Sequence, residues 1–128
     1  MFENPKPVGL MEHIVKAGSN PDSIVLDFFC GSATTAHAVM NVNAQDNGNR
    51  KFVLVQLPEE CHDKSEAAKA GFSTIADIAR ERIRRVGKQI KESNATTRPN
   101  LDVGFRAMEI DTSNMKDVYY VPLSLIHI

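Results

Sequence analysis

The sequence predicts an α/β protein built on a mostly parallel sheet, and three observations carry that reading. Two short apolar runs, SIVLDFF at 23–29 and KFVLVQLPE at 51–59, have the β-branched and aromatic content of strands buried on both faces. TTAHAVMNVNA, at 34–44, lies between them and has helical composition. Strand, helix and strand thus follow within about 35 residues, the βαβ unit whose crossover is right-handed. STIADIARERIRRVGKQIKES, at 73–93, is the clearest amphipathic helix in the chain.

Each element has its local reasons. In NPKPVGLMEHIVKAGSNPD, Pro7 suits a first helical turn, where its missing N–H is not needed. Val8, Met11, Ile14 and Val15 recur at helical spacing, which predicts a helix near 7–17 with Gly18 as its C-cap. Asn20-Pro21-Asp22 is a turn before the first strand. In the helix after that strand, Ala36, Val39 and Met40 share the inner face, and Asn47-Gly48 turns the chain toward the second strand. Pro58 ends that strand. ECHDKSEAAKAGF, 60–72, is a connector with at most one helical turn. In the long helix, Ile75, Ala79, Ile83, Val86 and Ile90 form one stripe, and Thr74 with Asp77 has capping-box spacing. NATTRPN is a loop, and the alternation in VGFRAMEID, 103–111, predicts a further strand.

Composition sets bounds. The chain has 128 residues, 42% hydrophobic and 24% charged, which fits one folded domain and not a disordered one. A formal net charge of −1 forces neither a nucleic-acid nor a membrane partner. The two cysteines, Cys30 and Cys61, have no C-x-x-C spacing, and His13, His62 and His127 form no ligand spacing, so no metal site is expected. There is no leader pattern and no membrane-length apolar run, which makes the cytoplasm the expected compartment.

The chemistry concentrates in DFFCGSATT, 27–35. A strand that ends in an acid and turns through glycine into a helix presents unpaired amides and a partial positive charge. Ligands of open α/β sheets sit outside such strand ends. Asp27 facing a helix N-terminus suits a zwitterionic amino acid: ammonium on the carboxylate, carboxylate on the loop amides. One glycine and one acid also fit a purely structural turn. The dinucleotide fingerprint is absent, since 33 and 36 are alanine, and so is a Walker ending.

DFFCGSATTAHAV resembles motif I of S-adenosylmethionine-dependent DNA methyltransferases. NPKP, GSATTAHAVM, RKFVLVQLPEE, GFSTIADIARERIRR and GFRAMEIDTSNMKDVYY together resemble, in order, the modification subunit of type III restriction-modification systems, an adenine-N6 methyltransferase. The similarity covers about residues 2–122. It implies a partial, truncated Rossmann-like methyltransferase fold with S-adenosyl-L-methionine as cofactor. It also implies a cofactor-binding part at 1–93 and a strand and loop segment of the same family at 94–122. Lys6 and Pro7 match the motif before the first helix. Asp27, Phe28, Phe29, Gly31, Ser32, Ala33, Thr34 and Thr35 match the motif that holds the methionine moiety. Gln56 falls where many members place an acid on the ribose. Ala33 replaces the usual second glycine; a positive φ there would cost about 1 kcal/mol, and its methyl would crowd the cofactor.

The family's catalytic Pro-Pro motif, which holds a base taken out of the duplex, has no counterpart, because the chain contains no Pro-Pro. No catalytic residue is therefore assigned. The expectation is the C-terminal part of a longer protein, inactive alone and marginally stable, which meets DNA, a restriction subunit and a second modification subunit through other segments. The rival reading is a non-catalytic relic or an assembly module that completes another chain; a nucleotide-binding oxidoreductase comes third. LSLIHI, 123–128, resembles a translated sequencing adapter and is expected to be non-native and to pack against nothing. His37 is expected to pack or cap, Cys30 to fill space, and the basic residues of the long helix, Arg82 among them, to be solvated.

Overall fold

The computed structural model describes residues 6–62 and 65–112. Asn4 and Pro5 of the first family segment, the stretch from 113 to 122 and the LSLIHI tail lie outside them. The order is α1 (Val8–Gly18), β1 (Ile24–Asp27), α2 (Thr34–Asp46), β2 (Lys51–Leu54), α3 (Glu66–Lys69) and α4 (Ile75–Ser93). β1 and β2 pair in parallel, with Ile24 opposite Lys51 and Asp27 opposite Leu54. This is the βαβ unit that the two apolar runs predict.

α1 starts directly after Pro7, whose φ of −60° suits the junction. α2 ends at Asn47, which takes the left-handed conformation at φ 64° that asparagine tolerates better than most residues. α4 has the predicted capping box: the Thr74 hydroxyl accepts from the Asp77 amide at 3.2 Å, and the Asp77 carboxylate accepts from the Thr74 amide at 3.1 Å. α3 is the single turn allowed for in the connector.

α2 is the central helix. On one side Val15 of α1 meets Ala38, Val39 and Val42, over Val25 and Phe52 of the sheet. On the other side Ala36 and Met40 meet Ala79, Ile83, Val86 and Ile90 of α4, over Phe52 and Leu54. Alternate residues of both strands, Val25, Phe52 and Leu54, therefore face the helices. The opposite face is open, with Ile24 at 68%, Leu26 at 51% and Val53 at 49% exposure. The expectation of strands buried on both faces is thus corrected: among the described residues all packed helices lie on one side. A parallel sheet normally has both faces covered.

A buried knot fixes the loops at the far end of this unit. Arg50, 6% exposed, donates through Nε to Ser19 Oγ at 2.9 Å and through Nη1 to Asp46 Oδ2 at 2.8 Å. Burial alone would raise the Asp46 pKa, but the Arg50 hydrogen bond and the Gly48 amide outweigh it and hold the carboxyl below its ordinary value. The ends of α1 and α2 are so tied to the start of β2.

The strand predicted at 103–111 does not form. Leu101 is buried against α4, with Val103 and Phe105 packed on the same cluster. Val103 lies so close to Gly87 that a Cβ there would stand 3.2 Å from the Val103 carbonyl oxygen. Arg84 sits over the Phe105 ring at 5.8 Å. A helix surface offers side-chain contacts but no free ladder of N–H and C=O groups, so alternating apolar residues dock here without making a strand.

Candidate cofactor site

The turn from β1 to α2 is built from both sides. The parallel ladder runs past the last strand residues: Val55 N donates to Asp27 O at 2.9 Å and Cys30 N to Val55 O at 3.3 Å. The chain then reverses through two left-handed residues, Gly31 at φ 52° and Ala33 at φ 63°. Glycine adopts that conformation freely; alanine is strained there. The positive φ at 33 is therefore realised. The Ala33 methyl, however, belongs to the core: the residue is fully buried in the cluster with Ala36, Met40, Ala79 and Ile83.

Side chains lock the reversal. Asp27 Oδ1 accepts from the Phe29 amide at 3.1 Å, and Oδ2 accepts from the Thr35 hydroxyl. A carboxylate has about four acceptor positions, so capacity remains for a further donor. Gln56 reaches across from beyond β2, and its Oε1 accepts from Gly31 N at 2.8 Å while Nε2 donates to Leu57 O at 3.2 Å. Ser32, Thr34 and Thr35 are buried. The amides of Ser32, Thr34, Thr35 and Ala36 find no acceptor among the described residues. Unpaired amides at a helix start, together with the helix dipole, favour negative charge nearby.

A cavity of about 430 Å³ opens between α1 and β1, where Lys6, Met11, Ile14, Leu26, Asp27 and Thr35 are among the lining residues. The cationic Lys6, the Asp27 carboxylate and the head of α2 so share one concavity with apolar walls, within the size range of small-molecule sites. The residues read from the sequence separate here. Gly31, Ser32, Ala33 and Thr34 make the turn that Gln56 pins, and of the residues read from the sequence Lys6, Asp27 and Thr35 line the cavity. Pro7 stands at the head of α1. Phe28 and Phe29 are exposed at 64% and 86% and do not line the cavity. Burial and then the nearby Asp27 charge push the Cys30 thiol up, which keeps it protonated and poorly nucleophilic.

One participant departs from the sequence reading. Arg82 is not on the solvated face of α4. Its Nη1 donates to Ser32 Oγ at 2.9 Å, to Thr34 Oγ1 at 3.0 Å and to the Ser32 carbonyl at 3.3 Å. Its Nη2 faces His37 Nδ1 at 3.4 Å. A signal was present in the sequence: 79, 82 and 86 are spaced i, i+3, i+7, which puts Arg82 on the apolar stripe.

The fold is an α/β unit with a small parallel sheet and a strand-to-helix turn that carries an acid and unpaired amides, and comparison with known proteins narrows its class. The family model described as DNA methylase matches residues 1–69. The chain belongs to this DNA methylase family. It is 45% identical over 106 residues to the type III restriction-modification enzyme StyLTI Mod subunit of Salmonella typhimurium, covering 83% of this chain and 16% of that one. It is 40% identical over 108 residues to the EcoPI Mod subunit of Escherichia phage P1, again 16% of that protein and 84% of this chain. The type II methyltransferase M.KpnI of Klebsiella pneumoniae is 37% identical over 86 residues, 67% of this chain and 21% of that one. The chain thus spans about a sixth of the length of the type III relatives it matches.

Proposed function

We propose that this chain binds S-adenosyl-L-methionine at the turn between β1 and α2, as the cofactor-binding part of an adenine-N6 DNA methyltransferase of a type III restriction-modification system. The supporting observation is that Asp27 and Thr35, whose amide is unpaired, line one cavity at the head of α2, with the unpaired amides of Ser32 and Thr34 next to them in the chain. Those groups fit the two opposite charges of the cofactor's methionine end. The cofactor supplies an electrophilic methyl on a sulfonium. Asp27 receives the ammonium and the amides of Ser32, Thr34 and Thr35 receive the carboxylate, so the amino-acid end is fixed and the methyl is oriented. Gln56 holds Gly31 by its amide oxygen, and ribose recognition by this residue then uses its amide nitrogen. The sheet extends in Rossmann-like fashion when further strands are added. DNA and a restriction subunit meet the protein through other segments. With no Pro-Pro motif to hold the target base, this chain alone is inactive.

The deciding experiment is equilibrium binding of labelled S-adenosylmethionine to the chain. Competition by the demethylated product but not by NAD is expected. Absence of saturable binding overturns the cofactor reading, and methylation of DNA by this chain alone overturns the inactivity. The open sheet face favours a second reading, an assembly module that completes a larger sheet. In that case the chain associates with a partner segment while showing no cofactor affinity.

A further inference from the structure

Arg82 lies fifty residues from the turn it contacts, and its guanidinium meets two hydroxyls and one carbonyl within a single loop. A surface arginine with nothing to hold extends into water. This one sits half-buried between α2 and α4 and is surrounded by acceptors. Arginine has donors only, so the His37 nitrogen that faces it is the unprotonated one, and the imidazole proton sits on Nε2. His37 thereby becomes the fourth point of the same clamp. Ser32 and Thr34 flank Ala33, the strained left-handed residue that starts α2. Holding the residue on each side of Ala33 holds its φ and ψ, and with them the direction of the amides at 32, 34 and 35. Nη1 shares its two N–H groups among the three acceptors while Nη2 faces His37, so the planar fork reaches both groups at once, which the single nitrogen of a lysine could not.

We propose that Arg82 is a positioning residue for the cofactor turn: it locks Ser32 and Thr34 so that the amides at the head of α2 stay aimed at the ligand's carboxylate. The inference rests on the cofactor reading above. It makes α4, which touches no part of the 430 Å³ cavity, a determinant of affinity.

The test compares the unaltered 128-residue chain with Arg82→Met and Arg82→Lys. S-adenosylmethionine binding is read by calorimetry, amide hydrogen exchange residue by residue, and urea unfolding for global stability. Arg82→Met is expected to weaken binding by about tenfold, the scale of one charge-assisted hydrogen-bond set, and to speed exchange at Ser32, Ala33 and Thr34 by a similar factor. Exchange in β1, β2 and the middle of α2 stays unchanged. Arg82→Lys, which keeps the charge, falls between the two in both readouts and serves where the methionine variant does not fold. Unchanged exchange at 32–34 overturns the inference, as does unchanged affinity with faster exchange. Uniform acceleration across α2 and the sheet also overturns it, since that is the mark of ordinary packing. Failure of the unaltered chain to bind overturns the cofactor reading instead, and the exchange data then still decide whether Arg82 holds the turn.

Discussion

The Thr35 hydroxyl donates to Asp27 Oδ2, which ties the last residue of β1 to the first turn of α2. The remaining Asp27 oxygen takes the Phe29 amide at 3.1 Å. The carboxylate therefore enters the site already oriented, and a ligand ammonium meets a fixed acceptor instead of a rotating one. Asp27→Asn keeps an oxygen for Thr35 or Phe29 but loses the charge. It is expected to weaken S-adenosylmethionine binding by about tenfold to a hundredfold, while urea unfolding moves little. Calorimetric titration checks the first and a denaturation curve the second. Equal affinity in both proteins would remove the ammonium from Asp27.

Asn43 and Arg50 pair head to tail across the α2–β2 turn. Asn43 Nδ2 donates to the Arg50 carbonyl at 2.9 Å, and the Arg50 amide donates to Asn43 Oδ1 at 3.0 Å. Both residues are 6% exposed, so neither backbone group can turn to water when the side chain is removed. Asn43→Ala is expected to cost about 3 kcal/mol, the cost of two buried orphans, and to lower the urea midpoint with an unchanged slope. Asn43→Asp, which keeps only the acceptor, is expected to fall between the two.

Ala33 is a contest between two terms of similar size. Glycine there relieves about 1 kcal/mol of left-handed strain. It also removes a fully buried methyl from the cluster with Ala79 and Ile83, which costs about 0.8 kcal/mol. Ala33→Gly is therefore expected to shift stability by less than about 1 kcal/mol in either direction. Ala33→Val, β-branched and larger, is expected to cost several times more and to disrupt folding of the turn. Chemical denaturation of the two variants decides it. A large gain from glycine would show that the methyl contributes no packing. The location of this methyl explains why a motif that usually carries glycine tolerates alanine: the side chain serves the interface with α4.

What was legible in the sequence was what is local. Thr74 and Asp77 sit three residues apart, Asn47 and Gly48 are adjacent, and the βαβ unit is contiguous, so each could be read from spacing alone. That Asp27 and Thr35 belong to one turn was legible, because nine residues hold both, but their hydrogen bond to each other was not. The Arg82 clamp was not, because its partners lie on another helix and a charged residue on a basic helix reads first as solvated. Val103 and Phe105 misled for a related reason. Alternation reports which residues face something apolar, not whether that surface is a strand or a helix. The open face carrying Ile24, Leu26 and Val53 reads as buried in the sequence because apolar composition records the need for a cover and not the cover itself.

His37 gives the chain a pH dependence near neutrality. Burial, and after it the positive Arg82 on α4, lowers its pKa below the ordinary 6.5, while Glu12 on α1 pulls the other way. The folded chain so prefers the neutral ring, whereas the unfolded chain takes up a proton near pH 6.5. Below that value the unfolded state binds more protons, so stability is complete above about pH 6.5 and is lost as pH falls through the folded value. Asp46 and Asp77 are held below the ordinary carboxylate value of 3.8. Their contributions are therefore intact above that point and fade only beneath it, which separates the two windows. His37→Gln keeps a polar side chain that does not titrate. The unaltered chain is expected to lose stability between about pH 7 and pH 5 while the variant loses less. Urea unfolding at those two values measures the difference, and an equal loss in both proteins would show that folding does not shift the His37 pKa. A protonated ring would also stand against Arg82 as a like charge, so the same acidification should speed amide exchange at Ser32 and Thr34 before the rest of α2 is affected.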